Sequence, residues 1–275
     1  MLKYLLIIHV FPVLFLIACH SNVSTETNDH LTKENSSTPV INYALVNTYP
    51  HDTTSFTEGL LIYKGQLYES TGSPENMLQT KSLFGTLDTT SGKINAEVVL
   101  DRNTYFGEGI TFLNDKVYQL TYQNKIGFIY DAKTFKKLGE FNIPGKEGWG
   151  MTTDSNYLII SDGTNFLYMI DPTDFKTIKI IPVENEKGPL MKINELEYIN
   201  HFIYANVYET NSIVKIDPAS GKIVGLLDLV SLVNEAKARH PGSMEMNGIA
   251  YDPLSRMIYI TGKMWPTLYK IQFAH

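Results

Sequence analysis

The chain is short of several things. It has one cysteine in 275 residues, Cys19, so no intrachain disulfide can hold it together. No His-Glu-x-x-His pattern or histidine cluster offers a zinc site. There is no Gly-x-Ser-x-Gly elbow, and no cysteine nucleophile beyond position 19. Basic runs are missing and the formal net charge is −6, which argues against a nucleic-acid partner. The apolar run from Leu5 to Ile17 is too short for a comfortable membrane span.

The N-terminus supplies the first positive signal. Lys3 precedes an apolar run from Leu5 to Ile17, and Leu16-Ile17-Ala18 leads directly to Cys19. Small residues before a lone cysteine resemble the lipobox of bacterial lipoproteins. Residues 1–19 therefore read as a lipoprotein signal peptide with Cys19 as the acylated residue. Residues 20–38 are rich in Ser, Thr, Asn, Asp and Glu and read as a flexible polar tether. The implied location is the bacterial cell envelope, lipid-anchored, periplasm-facing or surface-exposed. The folded part is 39–275, expected to be a monomer.

Two repeats organise that part. A residue flanked by glycine and followed by an apolar run occurs at Thr57-Glu58-Gly59-Leu60, Gly107-Glu108-Gly109-Ile110 and Gly148-Trp149-Gly150-Met151. Looser copies are Asn194-Glu195-Leu196 and Met246-Asn247-Gly248-Ile249. Aligned on the middle residue, the repeated position holds Glu58, Glu108, Trp149, Glu195 and Asn247. The second repeat is a turn opened by aspartate: Asp88, Asp131, Asp171 and Asp217, spaced by 43, 40 and 46 residues. That period, with several short strands in each, is the signature of propeller blades. One unit reads as strands from Gly109 to Leu113, Lys116 to Tyr122, Ile126 to Tyr130 and Lys137 to Asn142. The last unit has only three strands before His275, and Tyr43 to Tyr49 has no blade of its own. The expectation is an all-β, five-bladed β-propeller closed by the N-terminal strand completing the last blade. Val230 to Arg239, followed by His240-Pro241-Gly242, reads as a helix that caps the surface or covers the substrate side.

Inner strands of a propeller start at one mouth of the central channel, so the five repeated positions should converge. Carboxyl groups gathered in a narrow, partly dry mouth cannot all ionise freely, and one of them should titrate nearer neutrality. Such a group can serve as both base and acid. Cation binding and simple solvation of the channel are open readings on composition alone.

Phe56-Thr57-Glu58-Gly59-Leu60, Phe106-Gly107-Glu108-Gly109-Ile110-Thr111, Gly148-Trp149-Gly150, Ser161-Asp162-Gly163-Thr164, Asn194-Glu195-Leu196-Glu197-Tyr198 and Thr261-Gly262-Lys263-Met264-Trp265-Pro266 together resemble the plant-type glutaminyl-peptide cyclotransferases of plants and bacteria. The resemblance runs from about Tyr43 to Phe273. It implies conversion of an N-terminal glutamine of peptides or proteins to pyroglutamate with release of ammonia, without cofactor or catalytic metal. It makes Glu108 the essential glutamate and Trp149 the pocket tryptophan. It places Phe56, Phe106, Asn194 and Lys263 on pocket positions, and Glu58, Tyr122, Glu195 and Tyr208 are expected to bind substrate with them and Trp149. The sequence departs from plant members at three positions: Glu58 replaces a glutamine, and Tyr122 and Tyr208 replace tryptophans. Competing readings are a non-catalytic ligand-binding propeller of the envelope and a metal-dependent lactonase-type propeller using Glu108, Asn194, Glu195 and Asn247.

Overall fold

The computed structural model describes residues 38–275. Cys19, the signal peptide and the tether fall outside these residues, apart from Thr38. Strand β1 (Tyr43–Pro50) comes first. Four complete units follow. The first comprises β2 (Phe56–Tyr63), β3 (Gln66–Gly72), β4 (Leu83–Asp88) and β5 (Lys93–Val99). The second is β6 (Gly107–Leu113), β7 (Lys116–Thr121), β8 (Ile126–Asp131) and β9 (Lys137–Asn142). The third is β10 (Met151–Thr153), β11 (Leu158–Ser161), β12 (Phe166–Ile170) and β13 (Thr177–Pro182), trailed by a small hairpin of β14 (Glu184–Asn185) and β15 (Gly188–Pro189). The fourth is β16 (Ile193–Ile199), β17 (Phe202–Val207), β18 (Ser212–Ile216) and β19 (Ile223–Asp228). Helix α1 (Val230–Arg239) leads to β20 (Met246–Asp252), β21 (Met257–Gly262) and β22 (Thr267–Phe273).

Each unit is an antiparallel sheet in chain order, and the fifth has the order β1-β22-β21-β20. Strand β1 is thus the outer strand of the last blade, in register from Tyr43 opposite Phe273 to Pro50 opposite Thr267. It covers the edge that β22 would otherwise leave unpaired. The inner strands β2, β6, β10, β16 and β20 touch in succession, and β20 touches β2, which closes a five-bladed ring. The four aspartate turns join the third and fourth strands of their blades. In each, the carboxylate accepts a backbone N–H two residues on, from Thr90, Lys133, Thr173 and Ala219 respectively. This is the Asx geometry that makes aspartate recur there.

The core lies between blades. Tyr68 and Phe84 from the first blade meet Phe112, Val117, Phe128 and Tyr130 from the second. Leu232, Val233 and Ala236 of α1 pack into the core shared by the fourth and fifth blades, and the Tyr269 hydroxyl donates to the Leu232 carbonyl at 3.3 Å. The helix is therefore a cap on the sheets, and none of its residues lines the cavity described next.

Candidate active site

The inner strands begin with a common irregularity. Register slips between Thr57 and Gly59, Gly107 and Ile110, Ile193 and Leu196, and Met246 and Ile249. Such bulges re-aim a side chain out of the pleat. The inner strands also come very close together here. A Cβ on Gly109 would lie 2.6 Å from the Met151 nitrogen, and one on Gly150 only 2.1 Å from the Asn194 carbonyl oxygen. Only glycine permits that approach.

The slips align Glu58, Glu108, Asn194 and Asn247, with Trp149 at the same place before β10. This corrects the sequence alignment in the fourth blade. Asn194 is the counterpart of Glu108, and Glu195 occupies the slot that Gly59, Gly109, Gly150 and Gly248 fill elsewhere. Glu195 is buried and lies outside the cavity. Its two carboxylate oxygens accept the backbone N–H groups of Leu60 at 3.1 Å and Ile249 at 2.9 Å, across the ring from its own strand. Glu197 likewise accepts the Tyr251 N–H at 2.8 Å. The Asn-Glu-Leu-Glu-Tyr motif thus presents one pocket residue and two acids that stitch blades together.

The other expected residues do converge. Phe56, Glu58, Phe106, Glu108, Tyr122, Trp149, Asn194, Tyr208 and Lys263, with Pro74, line a cavity of about 230 Å³. Phe56 meets Phe106 edge-on, Phe106 meets Tyr122, and Trp149 meets Tyr208 edge-on, so an aromatic wall surrounds the polar floor. Gly163 of the Ser-Asp-Gly-Thr motif explains part of that wall. It has φ +76°, and a Cβ there would strike the Trp149 ring at 2.5 Å. Pro74 carries no sequence signal; Arg102 donates to its carbonyl at 3.0 Å and fixes its loop.

The polar floor is an ion pair beside an acid. Lys263 Nζ lies 2.6 Å from Glu58 Oε1, with both side chains buried. Asn247 Nδ2 donates to Glu58 Oε2 at 3.1 Å and to the Thr57 carbonyl at 3.0 Å. The Lys263 ammonium also lies 4.5 Å from the centre of the Phe56 ring and 5.4 Å from that of Tyr208, within cation–π reach. Burial opposes the Lys263 charge, but Glu58 and Glu108 outweigh it and raise its pKa.

Desolvation raises the Glu58 carboxyl to about 7, even though Lys263 pulls it down. Glu108 is raised well above the usual carboxylate range, by burial first and then by the neighbouring Glu58 charge. Of the two, Glu58 has the lysine, so it is the better anion and Glu108 the better proton holder. The backbone under Glu108 is pinned. Ser70 Oγ donates to the Glu108 carbonyl at 2.6 Å, and Tyr130 and Gln119 continue the chain of hydrogen bonds behind it. Asn194 Oδ1, in the lining of the cavity, is buried and without a hydrogen-bond partner.

Among the described residues, no three His, Cys, Asp or Glu side chains are grouped to hold a metal ion. Glu195 of the lactonase-type set is moreover committed to backbone amides.

Comparison with known proteins agrees with this architecture. The chain is 38% identical over 231 residues to the glutaminyl-peptide cyclotransferase of Arabidopsis thaliana, covering 83% of this chain and 70% of that one. The fold superposes on the crystal structure of Myxococcus xanthus glutaminyl cyclase with a TM-score of 0.76 and 30% identity, covering 86% of this chain and 98% of the other. The family model described as glutamine cyclotransferase matches residues 14–273. The chain belongs to the glutamine cyclotransferase family.

Proposed function

We propose that this protein is a glutaminyl-peptide cyclotransferase in which Glu108 carries the proton between the attacking and the departing nitrogen. The observation behind this reading is a buried carboxyl, Glu108, that shares one cavity with the Lys263–Glu58 pair and an unpartnered amide oxygen, and whose burial favours its protonated form. The substrate supplies both reacting groups. Its α-amine attacks the side-chain amide carbon, a C–N bond closes the five-membered ring, the old C–N bond breaks, and ammonia leaves. Glu108 gives its proton to the departing nitrogen and regains one from the ring nitrogen, so the enzyme ends as it began. Because both reactants sit on one residue, the pocket needs only to hold a near-attack geometry. Asn194 Oδ1 can accept an N–H from the glutamine, and the Lys263 ammonium can answer the charge that develops on the carbonyl oxygen.

Ammonia release from a glutamine-initiated dipeptide tests the reading. Glu108→Gln should keep the fold and lower kcat by about 10²–10⁴-fold, with a smaller change in KM. Peptide binding without ammonia release would favour the non-catalytic reading. Chelator should leave the rate unchanged.

From the N-terminal segment we further infer that lipid on Cys19 tethers the protein to the bacterial cell envelope, and we propose that it acts there, as a monomer, on peptides or proteins with N-terminal glutamine. Fatty-acid labelling should occur on the natural chain and vanish in Cys19→Ser. Labelling that persists in the variant rules the anchor out.

A further inference from the structure

Behind the polar floor lies a second buried pair that the proposed chemistry does not use. His51, in the link from β1 to β2, and Glu69, on β3, have fully buried side chains. His51 Nδ1 is 2.8 Å from the Trp265 carbonyl oxygen. Its Nε2 is 3.2 and 3.1 Å from the two oxygens of Glu69. A carbonyl cannot donate, so Nδ1 must carry a hydrogen, and a second proton must lie between Nε2 and Glu69. Burial works against a charge on His51, but Glu69 outweighs it and raises the ring's pKa, with Asp52 adding a little.

The surroundings of this pair give it a role. Thr57, the residue before Glu58, donates from Oγ1 to Glu69 Oε1 at 2.7 Å, and its hydroxyl lies 3.4 Å from the Gly262 carbonyl. Gly262 and Trp265 flank the turn that carries Lys263. The same turn is tied to the β1–β2 link by backbone hydrogen bonds from His51 to Pro266 at 3.1 Å and from Met264 to Ser55 at 2.7 Å. The His51–Glu69 pair therefore bonds to both segments whose side chains meet as Glu58 and Lys263. Neither His51 nor Glu69 lines the cavity.

We propose that His51 and Glu69 are positioning residues that fix the distance between Lys263 and Glu58, and through it decide which carboxyl of the Glu58–Glu108 pair holds the proton. The link to catalysis rests on the function proposed above, but the link to protonation does not. The groups facing Glu58 are Lys263, Asn247, Glu108 and, further off, Glu245. Of these only Lys263 lowers its pKa by charge. Slackening the Lys263 turn should raise Glu58 further and narrow the pH range in which the pair carries one proton.

The test uses Thr57→Val, Glu69→Gln and His51→Gln, with Thr57→Ser as the hydroxyl-restoring control. Carboxyl protonation is followed without substrate by infrared difference spectroscopy across pH, and kcat, KM and melting temperature are measured alongside. The expected result is an upward move of the Glu58 titration, and of the acidic limb of kcat, by about 0.5–1 pH unit in Thr57→Val and Glu69→Gln. Turnover should fall by about tenfold or more, because small misplacements at a reacting centre are costly. Thr57→Ser should restore the parent profile. If His51→Gln does not fold, the other variants still decide the matter. Variants that melt lower yet titrate as the parent does, with an unmoved kcat limb, would show the pair to be purely structural and overturn the proposal. A shifted titration with no cyclisation in any protein, parent included, would leave the positioning role standing and defeat the proposed function instead.

Discussion

Replacing the two glutamates singly and together gives a prediction whose size follows from the pocket. Lys263 is buried, and its partner at 2.6 Å is Glu58. Removing one member of a buried pair usually costs about 3–5 kcal/mol, because the other charge is left unpaired. Here Glu108 stands by as a second carboxyl that interacts with Lys263. In Glu58→Gln the repulsion from Glu58 is gone and Lys263 is left without its partner, so Glu108, although burial still raises its pKa, should ionise more readily and replace Glu58 as counter-ion. The single change should then cost less than half of that range. With Glu108 as the proton holder, Glu108→Gln replaces a neutral carboxyl and should change stability by about 0.5–1 kcal/mol at most. The double variant leaves Lys263 with neither acid and should show the full loss. The two sites are therefore coupled, by about 1–3 kcal/mol beyond additivity. For a domain of this size that is about 2–12 °C of melting temperature. Thermal and urea unfolding of the four proteins at pH 7 measure it. Additive changes, or a Glu108→Gln variant as unstable as the double, would refute the assignment of Glu58 as the anion and Glu108 as the proton holder.

Two further outcomes follow from the same structure. Desolvation raises Glu195, and raises Glu197 to about 8, so the folded chain keeps protons that the unfolded chain releases near pH 4.5; stability should fall as pH rises from about 4.5 to 8. The raised pKa of His51 acts in the same direction, its contribution being complete below 6.5 and lost as pH passes the folded value. Melting temperatures from pH 5 to 9 should decline steadily, and more shallowly in Glu197→Gln; a maximum at pH 8–9 contradicts the shifts. Removal of β1, by starting the chain at residue 52 rather than 38, should leave β22 with an unpaired edge and lower the melting temperature; equal values would refute closure by this strand.

What the sequence disclosed depended on whether the physics was local. The aspartate turns recur because a carboxylate two residues before a backbone N–H is a short-range device, so the blade period could be counted from Asp88, Asp131, Asp171 and Asp217. The missing strand of the last blade was legible by arithmetic, and Tyr43 to Tyr49 had nowhere else to pair. Most of the cavity was legible because its residues fall at the starts of inner strands, where glycine announces close packing. Alignment failed at Glu195 for a physical reason. In four blades the slot after the pocket residue is glycine, and in the fourth blade it holds a glutamate whose side chain runs across the ring to Leu60 and Ile249. Read by residue type, Glu195 resembles Glu108; read by position, it takes the place of Gly109. The Leu196 and Ile110 that follow were the available guide, since both begin the apolar run one residue after that slot. No comparable guide exists for His51. Its partners, Glu69 and Trp265, lie 18 and 214 residues away, and nothing near His51 marks it as buried. The contact with Trp265 is a product of ring closure itself. The last blade must return to the first before His51 can meet Trp265, so the contact between the pair and the Lys263 turn is complete only when the propeller has closed.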